Sequence, residues 1–84
     1  MDDDHDGRYN RPNTLERRMA VRIVQARLSA KLDALDVAES LHLSVDQYLQ
    51  VEAAQFRLSA ENLVHFARLT GHPVAWFFSN SEST

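Results

Sequence analysis

Residues 33–52, DALDVAESLHLSVDQYLQVE, decide the fold because they contain two helix starts only eleven residues apart. Asp33 and Ser44 each stand just before a run of apolar residues at helical spacing, as helix N-caps do. A polar side chain follows each cap three positions later, Asp36 in the first case and Gln47 in the second, and can reach back to it. The stretch therefore predicts two short helices joined by a tight turn.

The apolar residues of the same stretch predict how its two helices pack. Ala38 is small enough to let the second helix cross close to the first at a steep angle. Two helices arranged in this way form a helix-turn-helix, whose second helix is able to enter the major groove of DNA. The side chains that we expect to face inward are Val37, Leu41, Leu43, Tyr48 and Val51.

The chain before this unit predicts an arm and one helix. Residues 1–12 hold four aspartates, two arginines and almost nothing apolar to bury, so we expect a disordered arm. Asn13 or Thr14 caps a first helix that runs to about Ser29. Its arginines expected in solvent are Arg17, Arg18 and Arg22, and its apolar residues at helical spacing are Leu15, Met19, Ala20, Ile23, Val24 and Leu28.

The chain after this unit predicts two more helices. Residues 53–58 form a connection, and Ser59 caps a fourth helix that Gly71 ends, as a C-terminal glycine often does. Pro73 suits the first position of a short last helix, in which we expect Trp76 to close the core rather than to cover a dimer interface. The sequence thus predicts an all-α domain of five helices over residues 13–79 and a disordered tail over 80–84. One face of the fourth helix is predicted to be lined by Leu63, Phe66, Ala67 and Leu69, and the last helix runs through Val74 with Phe77 and Phe78 beside Trp76 in the core.

Length and composition argue against an enzyme and against a metal protein. Eighty-four residues make one small domain, which lacks room for a deep active-site cleft. The chain has no cysteine, and its four histidines stand at no familiar metal-ligand spacing. His5 lies among aspartates, where a solvated cluster of charges is the ordinary interpretation. We expect no catalytic residue, no metal and no cofactor.

Hydropathy and charge predict a cytoplasmic protein with two unlike halves. No apolar run approaches the roughly 20 residues of a membrane-spanning helix, and the acidic start lacks the parts of a signal peptide. Residues 8–31 carry seven of the nine basic groups and one acid, whereas residues 32–84 carry two basic groups and seven acids. A basic front half therefore precedes an acidic body, although the formal net charge is only −3.

The stretch RLSAENLVHFARLTGHPVAWFF, residues 57–78, carries a family resemblance. It is similar to the R-x-S-A…L…I-A…L-G-V-P…F-F ending of Xre-family regulators, the DNA-binding domains of lambda-repressor and Cro type. Together with the central helix pair, the resemblance covers residues 15–78. It implies five helices, a DNA-binding unit made of the second and third, and often a homodimer on a palindromic operator. It also implies an ion pair between Arg27, late in the first helix, and Glu52, at the end of the third.

Several residues depart from the pattern of this family. Lys31, His42 and Ala54 stand where the family often has glycine, which adopts positive φ more easily than other residues do. These departures predict reshaped turns and a third helix that continues past Ala54. The polar residue, usually glutamine, that anchors a DNA phosphate at the start of the second helix is Ala34 here.

Three positions of the third helix resemble the base-reading positions of the family: Val45, Asp46 and Gln50. Gln50 can pair with adenine, Val45 can touch a thymine methyl, and Asp46 can accept a hydrogen bond from cytosine N4. Phosphate binding needs cations, and residues 34–49 contain no Lys or Arg. The predicted phosphate or arm contacts are therefore Arg8, Arg11, Arg17, Arg18 and Arg22.

We expect a transcription regulator that binds double-stranded DNA, because the family resemblance favours that function. One alternative stays open. The acidic second and third helices favour a helix-turn-helix that has lost DNA binding and regulates by binding another protein. In that case Val45 and Leu49, four residues apart on one helix face, form an exposed apolar pair beside Asp46. A homodimer is compatible with either function.

Overall fold

The computed structural model describes residues 14–78, and this part of the chain consists of α-helices joined by short connections, without a strand. The predicted all-α fold class is confirmed. The predicted arm, Asn13 and the predicted tail lie outside the described residues. No helix within 14–78 is long and apolar enough to cross a membrane. In chain order the helices are α1 (Thr14–Ser29), α2 (Ala34–Ser40), α3 (Val45–Glu52), α4 (Ala60–Thr70) and α5 (Val74–Phe78).

The core lies where α1 packs against α3, α4 and α5, and α2 packs on α3. Its largest wholly buried aromatic side chains are Tyr48 from α3, Phe66 from α4 and Phe77 from α5. Ala38 is also buried, and its small side chain allows close packing between α2 and α3. The predicted inward face of these two helices is confirmed: Val37, Leu41, Tyr48 and Val51 are buried, and Leu43 is half-buried against the core.

Some apolar residues that we expected in the core are exposed. Leu28 lies two residues beyond the wholly buried Ala26, so it points about 200° away from the buried side of α1. Leu69 likewise lies two residues beyond a buried residue of α4, Ala67, and is exposed. Leu15 precedes Met19, the first residue of α1 that packs against the core. The predicted core positions of Leu69 and Phe78 are therefore wrong, and Leu15 and Leu28, which recur at helical spacing on α1, are exposed as well.

Side-chain caps begin α3 and α4, as predicted. The Gln47 N–H donates to Ser44 Oγ at 3.1 Å, and the Ser44 N–H donates to Gln47 Oε1 at 3.3 Å, which completes a capping box. Ser59 Oγ accepts from the Asn62 N–H at 3.1 Å in the same way. Asp33 has the extended backbone of an N-cap, but its exposed side chain makes no capping hydrogen bond, so the side-chain cap predicted for α2 is wrong.

The turns after α1, α2 and α3 each hold a non-glycine residue in the left-handed conformation. The backbone φ is 60° at Lys31, 60° at His42 and 63° at Ala54, close to the 80° of Gly71 after α4. The predicted reshaping of these turns is therefore wrong. The predicted continuation of α3 past Ala54 is wrong as well, because α3 ends at Glu52.

Backbone hydrogen bonds explain why these turns keep a left-handed residue. After α1, the Lys31 N–H donates to the Leu28 carbonyl at 3.0 Å. The next N–H, of Leu32, donates to the Arg27 carbonyl at 3.1 Å, and both bonds satisfy carbonyls that a helix end leaves unpaired. Leu32 then packs against the core. Equivalent bond pairs close the turns after α2, α3 and α4, so hydrogen bonding offsets the backbone strain.

Candidate interaction face of the second and third helices

The buried sides of helices α2 and α3 pack against each other, and α3 also packs against α1. Val37 and Leu41 of α2 and Tyr48 and Val51 of α3 all belong to the one core. The opposite sides of the two helices face solvent. The exposed side chains that define the α2–α3 face are Asp33, Leu35, Asp36, Glu39, Asp46, Leu49 and Gln50.

An ion pair fixes the position of α3 against α1. Arg27 Nε lies 2.6 Å from Glu52 Oε2, and Arg27 Nη2 donates to Glu52 Oε1 at 3.2 Å. The third guanidinium nitrogen, Nη1, donates to the Leu32 carbonyl at 3.1 Å. The hydrogen bond that Arg27 donates to Glu52, together with the charge of Glu52, raises the pKa of Arg27. The structure thus contains the ion pair between Arg27 and Glu52 that the resemblance implies, and this ion pair orients the α2–α3 face without belonging to it.

Tyr48 completes this network from the core side. Its hydroxyl donates to Glu52 Oε2, and its ring is wholly buried. Burial and this hydrogen bond raise the pKa of Tyr48 above the ordinary tyrosine value near 10. The folded chain therefore keeps a proton that the unfolded chain releases in alkaline solution.

A pH dependence of stability follows from Tyr48. A raised folded-state pKa contributes stability that is present below about pH 10 and is lost as the pH rises further. We expect the free energy of unfolding in urea to fall by about 1.4 kcal/mol per pH unit above that point from this residue. Tyr48→Phe should remove this part of the slope while also weakening the fold at neutral pH. An unchanged alkaline slope in Tyr48→Phe would contradict the assignment.

The predicted base-reading residues differ in exposure. Asp46 and Gln50 are exposed on α3, and Leu49 between them retains 46 % of its accessible surface. Val45, the first residue of α3, is half-buried and packs against the core. The predicted exposed pair of Val45 and Leu49 is therefore wrong, and Leu49 remains as the exposed apolar residue of α3.

The arginines predicted to contact phosphate differ in exposure and in their neighbours. Arg8 and Arg11 lie outside the described residues. Arg17 is exposed and Arg18 is half-buried. The guanidinium carbon of Arg22 lies 4.5 Å from the centroid of the Trp76 ring, a cation–π contact that ties this arginine to α5.

Trp76 packs at the junction of α5 with its neighbours. Its ring stacks on His72 with centroids 3.9 Å apart and meets the edge of buried Phe77 at 5.0 Å. The side chain is half-buried against the core. These contacts agree with the prediction that Trp76 closes the core, whereas the predicted companion Phe78 is exposed.

Leu35 is a residue of the face that the sequence pattern did not single out. It retains 52 % of its accessible surface in the first turn of α2. The available signal was its position two residues before Val37, which places it about 200° from the buried side of the helix. Leu35 and Leu49 thus give each helix of the unit one exposed leucine.

Among the residues that the structure describes, those of the α2–α3 face include acids but no Lys or Arg. No Lys or Arg occurs between Leu32 and Phe56, and the last turns of α2 and α3 contain no basic residue. Glu52 is neutralised by Arg27. Within residues 14–78, no salt bridge is made by the four exposed carboxylates of the face, which are Asp33, Asp36, Glu39 and Asp46.

A small cavity lies between α1 and the connection from α3 to α4. Its volume is about 110 Å³, and Arg57 at its rim donates to Glu16 Oε2 at 3.1 Å. A cavity of about 150 Å³ holds one benzene molecule, so this one accepts at most a small apolar group. Apolar residues that line the cavity include Met19, Ile23, Val51, Phe56 and Leu58.

Within the part of the chain that the structure describes, no three His, Asp or Glu side chains are grouped to hold a metal ion.

Comparisons of the chain with protein-family models, with curated proteins and with solved structures found no match. The functional interpretation therefore depends on the residues of this chain. The exposure and charge of the α2–α3 face are the observations that distinguish between the two functions left open by the sequence.

Proposed function

We propose that this chain is a helix-turn-helix regulatory domain that acts by binding another protein through its α2–α3 face. One observation carries this proposal: the face exposes four carboxylates and two leucines, while no Lys or Arg occurs between Leu32 and Phe56. A solvent-exposed apolar residue alone is ordinary. Exposed leucines among unpaired charges of one sign are more typical of a surface that meets a complementary partner.

The same charges disfavour DNA as the ligand of this face. Neutralisation of phosphates by Lys and Arg supplies essentially all non-specific DNA affinity and much of the specific kind. In a helix-turn-helix complex the second helix lies in the major groove and the first crosses the backbone, so both helices approach phosphates. Asp36 and Asp46 would then repel the ligand, and Ala34 offers no side-chain donor at the start of α2.

DNA binding by an Xre-type transcription regulator is the second candidate function. It is favoured by the exposure of Gln50 on α3, since glutamine pairs with adenine in the major groove. The resemblance of residues 57–78 to Xre regulators supports it as well. Its phosphate contacts would have to come from Arg17 and Arg18 and from the arginines of the predicted arm.

Photo-cross-linking in the cells that naturally make the chain separates the two candidates. A benzophenone amino acid replaces Leu49 on the face, and a matched variant carries it at Leu69, an exposed leucine of α4. We expect position 49 alone to yield a nuclease-resistant adduct that contains a second protein. A nuclease-sensitive adduct from position 49 would favour DNA instead, and equal adducts from both positions would contradict a specific face.

The binding energy of the cross-linked partner provides the quantitative test. Titration calorimetry with the purified partner should show that Leu49→Ser weakens binding about tenfold or more, as loss of a central apolar contact does. Leu69→Ser should leave the affinity nearly unchanged. Equal effects of the two substitutions would contradict the proposal.

Selection from random double-stranded DNA at low salt tests the second candidate directly. Under the proposed function, we expect no enriched sequence and no salt-dependent retention. If a sequence is enriched, Gln50→Ala should lower the preference for it and leave the salt dependence nearly unchanged, because a base contact neutralises no phosphate. That result would replace the proposed function with DNA binding.

A further inference from the structure

We infer that the partner docks on the α2–α3 face with a segment in which apolar side chains are flanked by lysines or arginines. This inference rests on the proposed protein-binding function and adds the chemistry of the partner. It is carried by the arrangement of leucines and carboxylates on α2 and α3, and by the charges at the ends of these helices.

Each exposed leucine of the face has a carboxylate beside it on its own helix. Leu35 and Glu39 stand four residues apart on α2, and Asp46 and Leu49 stand three apart on α3. Residues at these spacings are neighbours on a helix surface, with Cβ atoms about 5–6 Å apart. All four side chains are exposed. A partner that covers either leucine must therefore place its own groups next to a carboxylate.

The end of α2 gives an independent reason for a cationic partner. The C-terminus of a helix carries partial negative charge, which a basic side chain in the last turn ordinarily balances. The last turn of α2 contains no basic residue and includes exposed Glu39. Within residues 14–78, Glu39 makes no salt bridge, so a cation bound there would meet both the carboxylate and the helix end.

Charge excludes the other simple partners of an apolar surface. An acidic or neutral amphipathic segment would cover the leucines while burying carboxylates beside them without a counter-charge, which is strongly unfavourable. Lysines or arginines around the apolar residues of the partner remove that penalty and accelerate association at low salt. Within residues 14–78, none of the exposed side chains of this face is a Lys or Arg, and Arg27 is paired with Glu52.

A random peptide library displayed on phage tests this inference. The library is selected on the immobilised full chain and counter-selected on a variant with Asp36→Asn, Glu39→Gln and Asp46→Asn. We expect the enriched peptides to combine leucine-like residues with neighbouring Lys or Arg. Enriched peptides without basic residues, or a library with no enrichment, would overturn the inference.

Synthetic copies of the enriched peptides supply the affinity test. Fluorescence anisotropy should show binding to the full chain that weakens about tenfold or more in the triple-neutralised variant and with added salt. Glu61→Gln, which neutralises an exposed acid on α4, should leave the affinity unchanged. Equal affinity of the peptides for the chain and its triple variant would overturn the inference.

The two proposals fail in distinguishable ways. If position 49 cross-links to a protein whose binding is indifferent to the triple neutralisation and to salt, the inferred partner chemistry is wrong and the proposed function stands. If position 49 yields only a nuclease-sensitive adduct, both are wrong.

Discussion

Glu52→Ala is expected to destabilise the domain by about 3 kcal/mol, because it leaves the charge of Arg27 partly buried without its partner. The side chains of Arg27 and Glu52 retain only 16 % and 13 % of their accessible surface, so water compensates little. The substitution also leaves the Tyr48 hydroxyl without its acceptor. For a domain of this size, the expected loss corresponds to a fall of roughly 15 °C in the thermal midpoint, measured by circular dichroism.

A double substitution distinguishes the ion pair from simple packing. Replacing both partners, as in Arg27→Met with Glu52→Leu, should restore much of the stability lost in either single variant, since no charge is left unpaired. Arg57→Ala provides the matched control, because Arg57 pairs with Glu16 at 60 % and 32 % exposure and such surface pairs contribute about 1 kcal/mol or less. Small and equal losses in Arg27→Met and Glu52→Leu would contradict the expected role.

Replacing Lys31, His42 and Ala54 by glycine together is expected to stabilise the domain by about 2 kcal/mol. A left-handed backbone costs a non-glycine residue about 1–2 kcal/mol, and glycine removes this strain from the folded state. Glycine also gives the unfolded chain more conformational freedom, which reduces the gain in stability by about 0.4–1 kcal/mol at each site. The three residues lie in separate turns, so their effects should add approximately. The thermal midpoint should rise by roughly 10 °C.

Two controls isolate the backbone contribution. Lys31→Ala removes most of the side chain but keeps the strained φ, so its effect should be small compared with that of Lys31→Gly. Gly71→Ala should destabilise the domain, although a Cβ at this position would meet no atom within 4 Å, because φ there is 80°. A lower midpoint in the triple-glycine variant would show that the side chains contribute more than the backbone strain.

Local signals in the sequence were sufficient for most of the fold. The caps at Ser44 and Ser59 and the glycine at 71 depend on hydrogen bonds within a few residues, so short motifs reveal them. Helical spacing likewise identified the buried faces of α2 and α3. The ion pair between Arg27 and Glu52 joins residues 25 positions apart, and only the family resemblance indicated it.

Tertiary contacts decide what local signals left undetermined. Propensity argues against positive φ at Lys31 and Ala54, but paired hydrogen bonds at the helix ends retain it, and after α1 the packing of Leu32 against the core supports the same turn. At the candidate site, the negative charge could be predicted from the sequence, because the number of acidic and basic residues does not depend on the fold. The exposure of Leu35 could also be predicted, from its spacing to Val37, whereas the packing of Val45 against the core could not, since it depends on side chains from other parts of the chain.

The intrinsic fluorescence of Trp76 reports on the packing of α5 against α1. It is the single tryptophan of the chain, and its indole contacts Arg22 of α1 and His72 beside the start of α5. Separation of α5 from α1 would remove the guanidinium from the indole and expose the ring to water, which shifts its emission to longer wavelength. Fluorescence therefore detects release of the last helix, while circular dichroism follows all the helices. Coincidence of the two transitions would show that the domain unfolds in a single step.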